Sequence, residues 1–532
     1  MSDLFYAVSR PILFAEWLIL VIVPGKHALH MFQQNRYELR RYWPWVSGRA
    51  NEKASNAFLW LLVAAPWLAL SYFKTNVITI IVTLIMLGIA CAYLLQIEKK
   101  HKYIKVLVVT ARVKRQIAAM AVLDLSLIGI LASQLPWQWS GALTPVLYVS
   151  NWFIMVAVAM ITAPFEDTIK LYYIYLARKI LKQYPQLIKI GITGSYGKTS
   201  SKNILNEILS ERFYVLSTPA SYNTPMGITI TIREHLKAVH QVFIAEMGAD
   251  KVGEIDYLTK FVQPQYGIVT SVGPQHLNTF KSIDNIIKEK MKMVENLPLS
   301  GIGVLNRDNQ YIRDYSIRNN CRIVWYGIDR DDVDYQAVDI RYSPAGSSFN
   351  LICTEGLYEF TTRLLGKHNI ANILASIALA RQLGIEWGEL QHAVSQVNYV
   401  EHRLQLKKIN GYTFIDNAFN SNPEGSKMSL EVLKMMPNQR FIVTPGMIDL
   451  GDREDELNRL FGTYMVGCAD TVILVGPKQT KPIREGLEAS GFNMNNVMSV
   501  ATVKEAFDLV YKYATREDTI LLENDLPDAF NR

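Results

Sequence analysis

The sequence predicts a two-part protein, an α-helical transmembrane region followed by a doubly wound α/β enzyme. Three observations carry this expectation. Four long apolar runs fall within the first 163 residues. Positive charge gathers in the same third: residues 1–184 hold 19 Lys and Arg against 8 Asp and Glu, and the rest of the chain holds 36 against 40. From residue 187 onward, short apolar strands alternate with helical patterns, the signature of a parallel sheet with crossover helices.

At 532 residues the chain exceeds one ordinary domain. The overall net charge of +7 belongs to the front third, which argues for a basic segment beside a membrane and against a nucleic-acid-binding catalytic region. The four cysteines, Cys91, Cys321, Cys353 and Cys468, include no C-x-x-C pair. Neither a zinc ribbon nor a disulfide framework is indicated, and a reducing, cytoplasmic setting is expected for the bulk of the chain.

Residues 1–164 read as the membrane domain. Ile12–Val23 is apolar but contains Glu16 and stops at Pro24-Gly25. It falls short of the ~17–25 residues of a span. An interfacial or re-entrant segment is expected, with a fifth short span as the alternative. No small-residue cleavage site follows it. Residues 26–56 are basic, with Tyr37, Tyr42, Trp43 and Trp45 interleaved. A juxtamembrane segment with headgroup anchors is favoured over nucleic-acid binding. Ala57–Phe73, Val77–Leu95, Ile117–Leu135 and Leu143–Ala163 are each long enough to cross ~30 Å of hydrocarbon. The Lys- and Arg-rich stretch Glu98–Gln116 separates the two resulting hairpins. The positive-inside rule then places that loop, residues 26–56 and everything after 163 in the cytoplasm, for a multi-pass cell-membrane protein with cytoplasmic catalytic domains. Asp124 and Glu16 sit in apolar surroundings, where an acid has either a proton or substrate role or is packed inside the helix bundle. Phe165–Tyr184 reads as a connecting helix along the membrane surface, within a linker of residues 165–186 that Pro185 closes.

The soluble part is too long for one core, and a break near Val397–His402 divides it into domains 187–398 and 399–532. Strands are expected at Leu187–Ile190, Val242–Ala245, Tyr266–Thr270, Gly303–Leu305, Arg322–Tyr326, Phe414–Ile415, Phe441–Thr444 and Thr471–Val475. Helices are expected at Ser201–Arg212, Ile283–Asn296, Ile370–Leu383 and Ala501–Tyr513.

The chemistry starts at Gly191-Ile-Thr-Gly194-Ser195-Tyr-Gly197-Lys198-Thr199-Ser200. Strand, glycine-rich turn and helix, with Lys then Thr at the helix start, make a phosphate-binding loop. Glycines let backbone N–H groups approach phosphate oxygens, and the helix N-terminus adds positive potential. Lys198 is placed for the outer phosphates and Thr199 for Mg²⁺. Glu246 ends a strand at the carboxyl edge of the sheet, where ligands of parallel sheets bind, and is placed to share that Mg²⁺. His276 ends another strand. Lys288, Lys290 and Lys292 crowd one helix, ordinarily the mark of a solvated face.

Taken in order, Thr193-Gly-Ser-Tyr-Gly-Lys-Thr199, Asn223-Thr-Pro-Met-Gly227, Glu246-Met-Gly, His276-Leu-Asn, the Lys290 helix, Val304-Leu-Asn306-Arg-Asp308, Gly366-Lys-His368-Asn369-Ile-Ala-Asn372, His402-Arg403, Asp416-Asn-Ala-Phe-Asn-Ser-Asn422-Pro423 and Thr444-Pro-Gly446-Met resemble the Mur ligase family, most closely its MurF type. The resemblance covers residues 187–532. It implies a central P-loop ATPase domain, a smaller Rossmann-like C-terminal domain, and ATP-dependent joining of an amine to a carboxylate in cell-wall synthesis. It implies that Gly194, Ser195, Gly197, Lys198, Thr199 and Ser200 cradle ATP and that Asn223 lies near the transferred phosphate. It further implies that Thr199, Glu246, His276 and a carbamylated Lys290 hold two Mg²⁺. Asn306, His368, Asn369 and Asn372 fall on the adenine side, and Arg403 and Asp416 close on phosphate and ribose. Lys198, Asn223, His276, Lys290 and Arg403 carry the catalytic expectation.

Three departures bear on substrate. Residues 1–185 stand where the family has a soluble domain that grips a UDP-sugar, so a membrane-bound or lipid-linked acyl substrate is expected. The family's paired acids appear as Asp416-Asn417, with Phe419 in place of a Tyr. The C-terminal Leu522-Glu-Asn-Asp-Leu-Pro-Asp528 lacks the Gly-Ser-Arg tail of soluble MurF enzymes. The resemblance implies an amino acid or dipeptide as the amine donor and leaves room for a partner enzyme in an envelope pathway that supplies it. A poly-γ-glutamate-type ligase and a non-ligating membrane scaffold or transport ATPase subunit stand as alternatives.

Overall fold

The computed structural model describes residues 2–54, 77–100, 106–134, 144–343, 345–400, 402–418, 423–448, 450 and 453–524. They form two compact units, 1–172 and 173–532. The apolar run at 57–73 lies outside the described residues.

The first unit is helical: α1 Ser2–Gln34, α2 Leu39–Ala54, α3 Val77–Lys100, α4 Ala111–Gln134 and the part of α5 Thr144–Gln183 that precedes residue 173. Two sequence expectations are corrected here. The first segment does not end at Pro24-Gly25, because α1 runs through both. Proline lacks an N–H and ordinarily breaks a helix interior. Here Gly25 lets the helix approach α4 and α5 closely: a Cβ on it would lie 3.2 Å from Asn151 Oδ1 and 3.4 Å from Met120 Cε. The aromatic residues of 26–56 are also not all headgroup anchors. Tyr42 is fully buried against Phe32, Val113, Trp152 and Val158, edge-on to Phe32 at 5.3 Å, whereas Trp43 is exposed.

On α4, Val113, Gln116, Met120, Asp124 and Ile128 are all buried. Their spacing puts them on one helix face, so Asp124 faces the interior. Arg115 makes a bidentate pair with Glu166 of α5, at 2.7 and 2.8 Å. The expected linker is not a separate helix: α5 runs without interruption from 144 to 183 and contains Pro164. Among the described residues, one stretch, Ser150–Gln183, is long and apolar enough to cross a bilayer by length and composition. Helices α3 and α4 cover two of the other expected spans.

The second unit holds two sheets. The first contains β1 Ile188–Thr193, β2 Val215–Ser217, β3 Val242–Glu246, β4 Tyr266–Val269, β5 Ile302–Asn306, β6 Arg322–Gly327, β7 Tyr335–Ser343, β8 Gly346–Cys353 and β9 Gly356–Thr362. Its order is β2-β3-β1-β4-β5-β6-β7-β8-β9. It is parallel from β2 through β7 and antiparallel from β7 to β9. Its helices include α6 Lys198–Ser210, α7 Pro225–His235, α8 Glu254–Val262, α9 Ile283–Glu295, α10 Lys367–Gln382 and α11 Trp387–Gln396. Along β3, Val242 and Ile244 enter one apolar core while Phe243 and Ala245 enter another. Strand alternation therefore sends them to opposite faces, each covered by helices.

The second sheet runs β10-β11-β15-β12-β13-β14, from β10 Gln405–Ile409, β11 Tyr412–Asn417, β12 Arg440–Thr444, β13 Thr471–Val475, β14 Val497–Val500 and β15 Thr519–Glu523. Only β10 is antiparallel. Helices α12 Pro423–Lys434, α13 Glu454–Met465, α14 Lys481–Ala489 and α15 Val503–Tyr513 accompany it. Between the two sheets, α11 ends at Gln396 and β10 starts at Gln405.

Candidate active site

The carboxyl ends of β1, β3 and β4 converge on the glycine-rich loop. β1 pairs with β3 on one side and β4 on the other, so the loop after β1 sits between the ends of its neighbours. Gly194 is obligatory there, because a Cβ would lie 2.1 Å from Thr270 Oγ1. Gly197, at φ 81°, caps α6.

The loop is held from behind by β4's extension. Thr270 donates its hydroxyl to Tyr196 O at 2.5 Å. Ser195 donates its N–H to Ser271 O at 2.7 Å, and its hydroxyl bonds both Gly273 O and Gly273 N at 3.0 Å. Ser195 is thus a latch between loop and sheet, and its amide is already engaged. On the other flank, Ser201 donates to Asn372 Oδ1 at 2.8 Å, which ties α6 to α10.

Glu246 is the centre of the charge arrangement. It is 1 % exposed. Its Oε1 accepts from Thr199 Oγ1 and from Asn223 Nδ2, both at 3.1 Å. Lys202, also 1 % exposed, puts its ammonium 3.4 Å from Oε2 and donates to Ala220 O in the Asn223 loop. Oε2 itself accepts no hydrogen bond. Lys198 arches over the loop, donating to Gly194 O at 2.6 Å and Ser195 O at 3.0 Å. Burial lowers its ammonium to about 8, against the attraction of Glu246 and with help from Arg403.

The three crowded lysines are sorted by α9. Lys288 is exposed and Lys292 half-buried, but Lys290 is 1 % exposed. Its Nζ donates to Ala249 O at 3.1 Å and faces the Phe280 ring. Burial, and after it the nearby Lys198, lower this amine to about 7. Its neighbour Glu289 caps α8, accepting from Gly253 N at 2.8 Å and Ile255 N at 2.6 Å. His276 is exposed at φ 55°, where its carbonyl accepts from Thr279 N and Phe280 N.

On the expected adenine side, Asn306 donates to Thr270 O at 3.1 Å and accepts from Asp308 N at 3.0 Å. Asn369 donates to Leu365 O at 2.8 Å. His368 keeps a buried Nδ1 with no hydrogen-bond partner, and burial, followed by Arg403, lowers its imidazole to about 4. Arg403, from the segment before β10, is depressed by burial and supported by Glu246. Its charge also acts on Lys198, Lys202 and His368. Asp416 accepts from His402 Nδ1 at 2.8 Å, Lys407 Nζ at 2.6 Å and Ala418 N at 3.2 Å. Burial opposes its ionisation, but the Lys407 and His402 bonds prevail and hold it below the usual carboxylate value.

Sequence reasoning missed Lys202, Thr270, Ser271 and Ser201. Lys202 lies one helical turn beyond Lys198, a spacing that places both on one face of α6 and was its only signal.

The order of these parts matches known proteins. Residues 192–380 match the Mur ligase middle domain and residues 402–523 the Mur ligase glutamate ligase domain. The chain belongs to the Mur ligase family. Members of this family are ATP-dependent ligases. The UDP-N-acetylmuramoyl-tripeptide--D-alanyl-D-alanine ligase of Haemophilus influenzae is 28% identical over 281 residues, covering 52% of this chain and 61% of that one. The match thus spans less than two thirds of that relative's own length. The Bacillus subtilis protein of the same name is 26% identical over 340 residues, covering 63% and 72%. MurF from Acinetobacter baumannii superposes with a TM-score of 0.60 at 25% identity over 67% of this chain and 77% of that one. The fold is shared with MurF ligase from Thermotoga maritima, solved in complex with ADP, at a TM-score of 0.60 and 22% identity. The two matched family regions begin at residues 192 and 402.

Proposed function

We propose that this chain is a membrane-anchored, MurF-like ligase that uses ATP to join a carboxylate to an amino acid or dipeptide amine in envelope synthesis. The observation that carries this reading is the buried Glu246, shared by Thr199, Asn223 and Lys202 beneath a loop that Lys198 and Arg403 flank. The relatives' names suggest D-alanyl-D-alanine as the amine donor to test first. The helical first unit and its basic charge suggest an acyl substrate held at a membrane, a lipid-linked precursor being the case that distinguishes this chain from those relatives.

The donor set suits a hard divalent cation. Glu246 Oε2 is a buried carboxylate oxygen with no hydrogen bond, 3.4 Å from the Lys202 ammonium, while Oε1 of the same carboxylate accepts from the Thr199 hydroxyl. Among the described residues no three His, Cys, Asp or Glu side chains cluster as a metal site. Glu246 and His276 would therefore need Thr199 and a carbamylated Lys290 to complete an oxygen-rich set for Mg²⁺. A bound Mg²⁺ would supply charge neutralisation at the phosphates. The depressed Lys290 amine is neutral enough to take up CO₂, whereas an ammonium cannot.

The chain's own residues account for the rest. The loop and Lys198 receive the β- and γ-phosphates. Asn223, oriented by Glu246, faces the transferring phosphoryl group. A carboxylate is an inert acyl donor, so its attack on the γ-phosphate to give an acyl phosphate and ADP converts it to a reactive one. The amine then displaces phosphate. Fixed cations at the phosphate lower the barrier for charge that develops there. Arg403, arriving from the C-terminal domain, completes the set and helps exclude water from the acyl phosphate.

The test is ADP and phosphate release by the full chain in detergent, screened against amino acids, D-alanyl-D-alanine and membrane lipid extract. Release that requires lipid extract plus an amine supports the proposal. Release with polymer growth on glutamate alone supports a poly-γ-glutamate ligase instead. ATP turnover with no amide product under any combination sinks the ligase reading.

A further inference from the structure

We propose that Glu523 is a positioning residue for Arg403, acting through Asn417 and the backbone of Leu404. This rests on the reading of Arg403 as a nucleotide-site residue. The sequence shows Asn417 where the family's second paired acid stands. The structure shows a carboxylate directly across from it: β11 and β15 are parallel neighbours, and Asn417 is in register with Glu523.

Glu523 is fully buried. Its Oε2 accepts from Asn417 Nδ2 at 2.9 Å and from Ser429 Oγ at 2.6 Å. Its Oε1 accepts from Ser426 Oγ at 3.1 Å. Both serines belong to α12, so one carboxylate ties together two strands and the helix beside them. Asn417 then passes the constraint on. Its Oδ1 accepts from Leu404 N at 3.3 Å. A backbone N–H can only donate, which fixes Oδ1 toward Leu404 and Nδ2 toward Glu523.

Leu404 needs that constraint. It sits at φ 50°, and His402, two residues earlier, sits at φ 58°. Left-handed backbone is unfavourable for both residue types, more so for leucine. Arg403 lies between them, its guanidinium close enough to Glu246, Lys198, Lys202 and His368 to shift or feel each of them. The Asn417 bond to Leu404 N pins the far side of this turn. The near side is pinned separately, by His402 Nδ1 on Asp416 at 2.8 Å. Adjacent residues of β11 thus hold the two flanks of Arg403, Asp416 through a charge of its own and Asn417 through a charge supplied by Glu523. The acid that the family pattern places at the second position is present here, on the neighbouring strand.

The chemistry predicts how the network fails and how it is restored. In Glu523→Gln the amide oxygen keeps Asn417 and Ser429 only if the amide nitrogen takes the Oε1 position, where the Ser426 hydroxyl must turn from donor to acceptor. What is lost is the buried charge that strengthens all three bonds. In Asn417→Asp two carboxylates face each other at hydrogen-bond distance. In the double variant Asn417→Asp/Glu523→Gln the donors and acceptors match again. The new carboxylate at position 417 accepts from Leu404 N and from the new amide nitrogen at position 523. The amide oxygen at position 523 accepts from Ser426. The Ser429 hydroxyl, which also donates to Ser426 O at 2.9 Å, keeps that bond and accepts from the same amide nitrogen.

The experiment is calorimetric titration of the full chain in detergent with MgATP, alongside thermal unfolding without nucleotide. Arg403→Ala is included as the reference. Glu523→Gln and Asn417→Asp are each expected to weaken MgATP about tenfold, the size of one charge-assisted hydrogen bond. The double variant is expected within about twofold of wild type. Wild-type MgATP binding by Glu523→Gln overturns the inference, as does a double variant that binds no better than the singles or does not fold. Should Glu523→Gln fail to fold, recovery of both folding and MgATP binding in the double variant still supports it. If Arg403→Ala binds MgATP as wild type does, the reading of Arg403 fails, and the recovery of folding in the double variant then shows a structural network only.

Discussion

At the scale of single residues, Lys290 carries the sharpest prediction. Its amine is lowered from 10.5 to about 7, burial being the main cause and Lys198 the next. Between these two values the unfolded chain binds a proton that the folded chain does not. Stability therefore rises with pH from about 7 to 10.5, and the penalty of the buried cation is fully present below about 7. Lys290→Met is expected to flatten that part of the stability–pH profile and to stabilise the fold at about pH 6 by on the order of a few kcal/mol, while abolishing ligation. A carbonyl signal of a carbamate is expected by ¹³C NMR in wild type fed labelled bicarbonate, and is expected to vanish in Lys290→Arg. Persistence of that signal in the variant would assign it to another lysine. Lys198→Ala is expected to lower ATP turnover at least about a hundredfold, in the range of removing one preorganised electrostatic group. Turnover within about threefold of wild type would remove Lys198 from the phosphate site. Residues such as Lys198, Thr199 and Glu246 were legible because type and spacing announce them. Lys202 was not, because a lysine on a polar helix reads as solvated until the buried Glu246 is seen beside it. Thr270 and Ser271 gain their role only from the β1–β4 pairing, which no local pattern encodes.

At the scale of elements, the loop's geometry separates two glycines that look alike in sequence. Gly194 has Thr270 Oγ1 where a Cβ would go, with Ser271 O and N behind it at 3.0 and 3.1 Å. The backbone on that side cannot retreat without breaking the β4 latch. Gly194→Ala is expected to abolish MgATP binding in a titration and to lower the unfolding midpoint. Gly388, inside α11, has nothing within 4 Å and no positive φ. Gly388→Ala is expected to leave binding unchanged and to stabilise by up to about 1 kcal/mol, because alanine restricts the unfolded chain and suits a helix. Equal damage from both would mean the loop's close approach is unimportant. The parallel strands β1, β3, β4, β5 and β6 were visible as apolar runs. The antiparallel β7, β8 and β9 were not, because half-exposed strands such as Tyr335–Ser343 mix Asp, Arg and Gln with their apolar residues. The continuation of α1 past Pro24-Gly25 has no local signal either, since a proline signals a stop and only packing shows why this one does not.

At the scale of the whole molecule, the half that matches the Mur ligase domains was legible because many motifs in order over-determine it, and the helical unit was legible only in outline. Apolar length and Lys/Arg bias say where a chain would cross a bilayer. They do not distinguish a span from an apolar helix buried in protein, and the buried Gln116 and Asp124 of α4 show that packing also shapes these helices. The charge bias nevertheless makes a directional claim. With Lys99, Lys100, Lys102, Lys105, Arg112, Lys114 and Arg115 between the two hairpins, that loop should stay on the cytoplasmic side, and the Lys74-Thr75-Asn76 turn should face outward. The full chain is then expected to remain in the membrane pellet after alkaline carbonate washing. In intact cells an impermeant thiol reagent should label Thr75→Cys at once and Lys102→Cys only after permeabilisation. The ligase site must lie on the side of ATP, so the labelling pattern bears on chemistry as well as on topology. Labelling of Lys102→Cys from outside would put the phosphate-binding loop on the same outer side if the number of crossings after it is even, and the membrane-anchored ligase would then have no nucleotide. Release of the chain by carbonate would instead make the helical unit a packed, peripheral domain and remove the reason to seek a lipid-linked substrate.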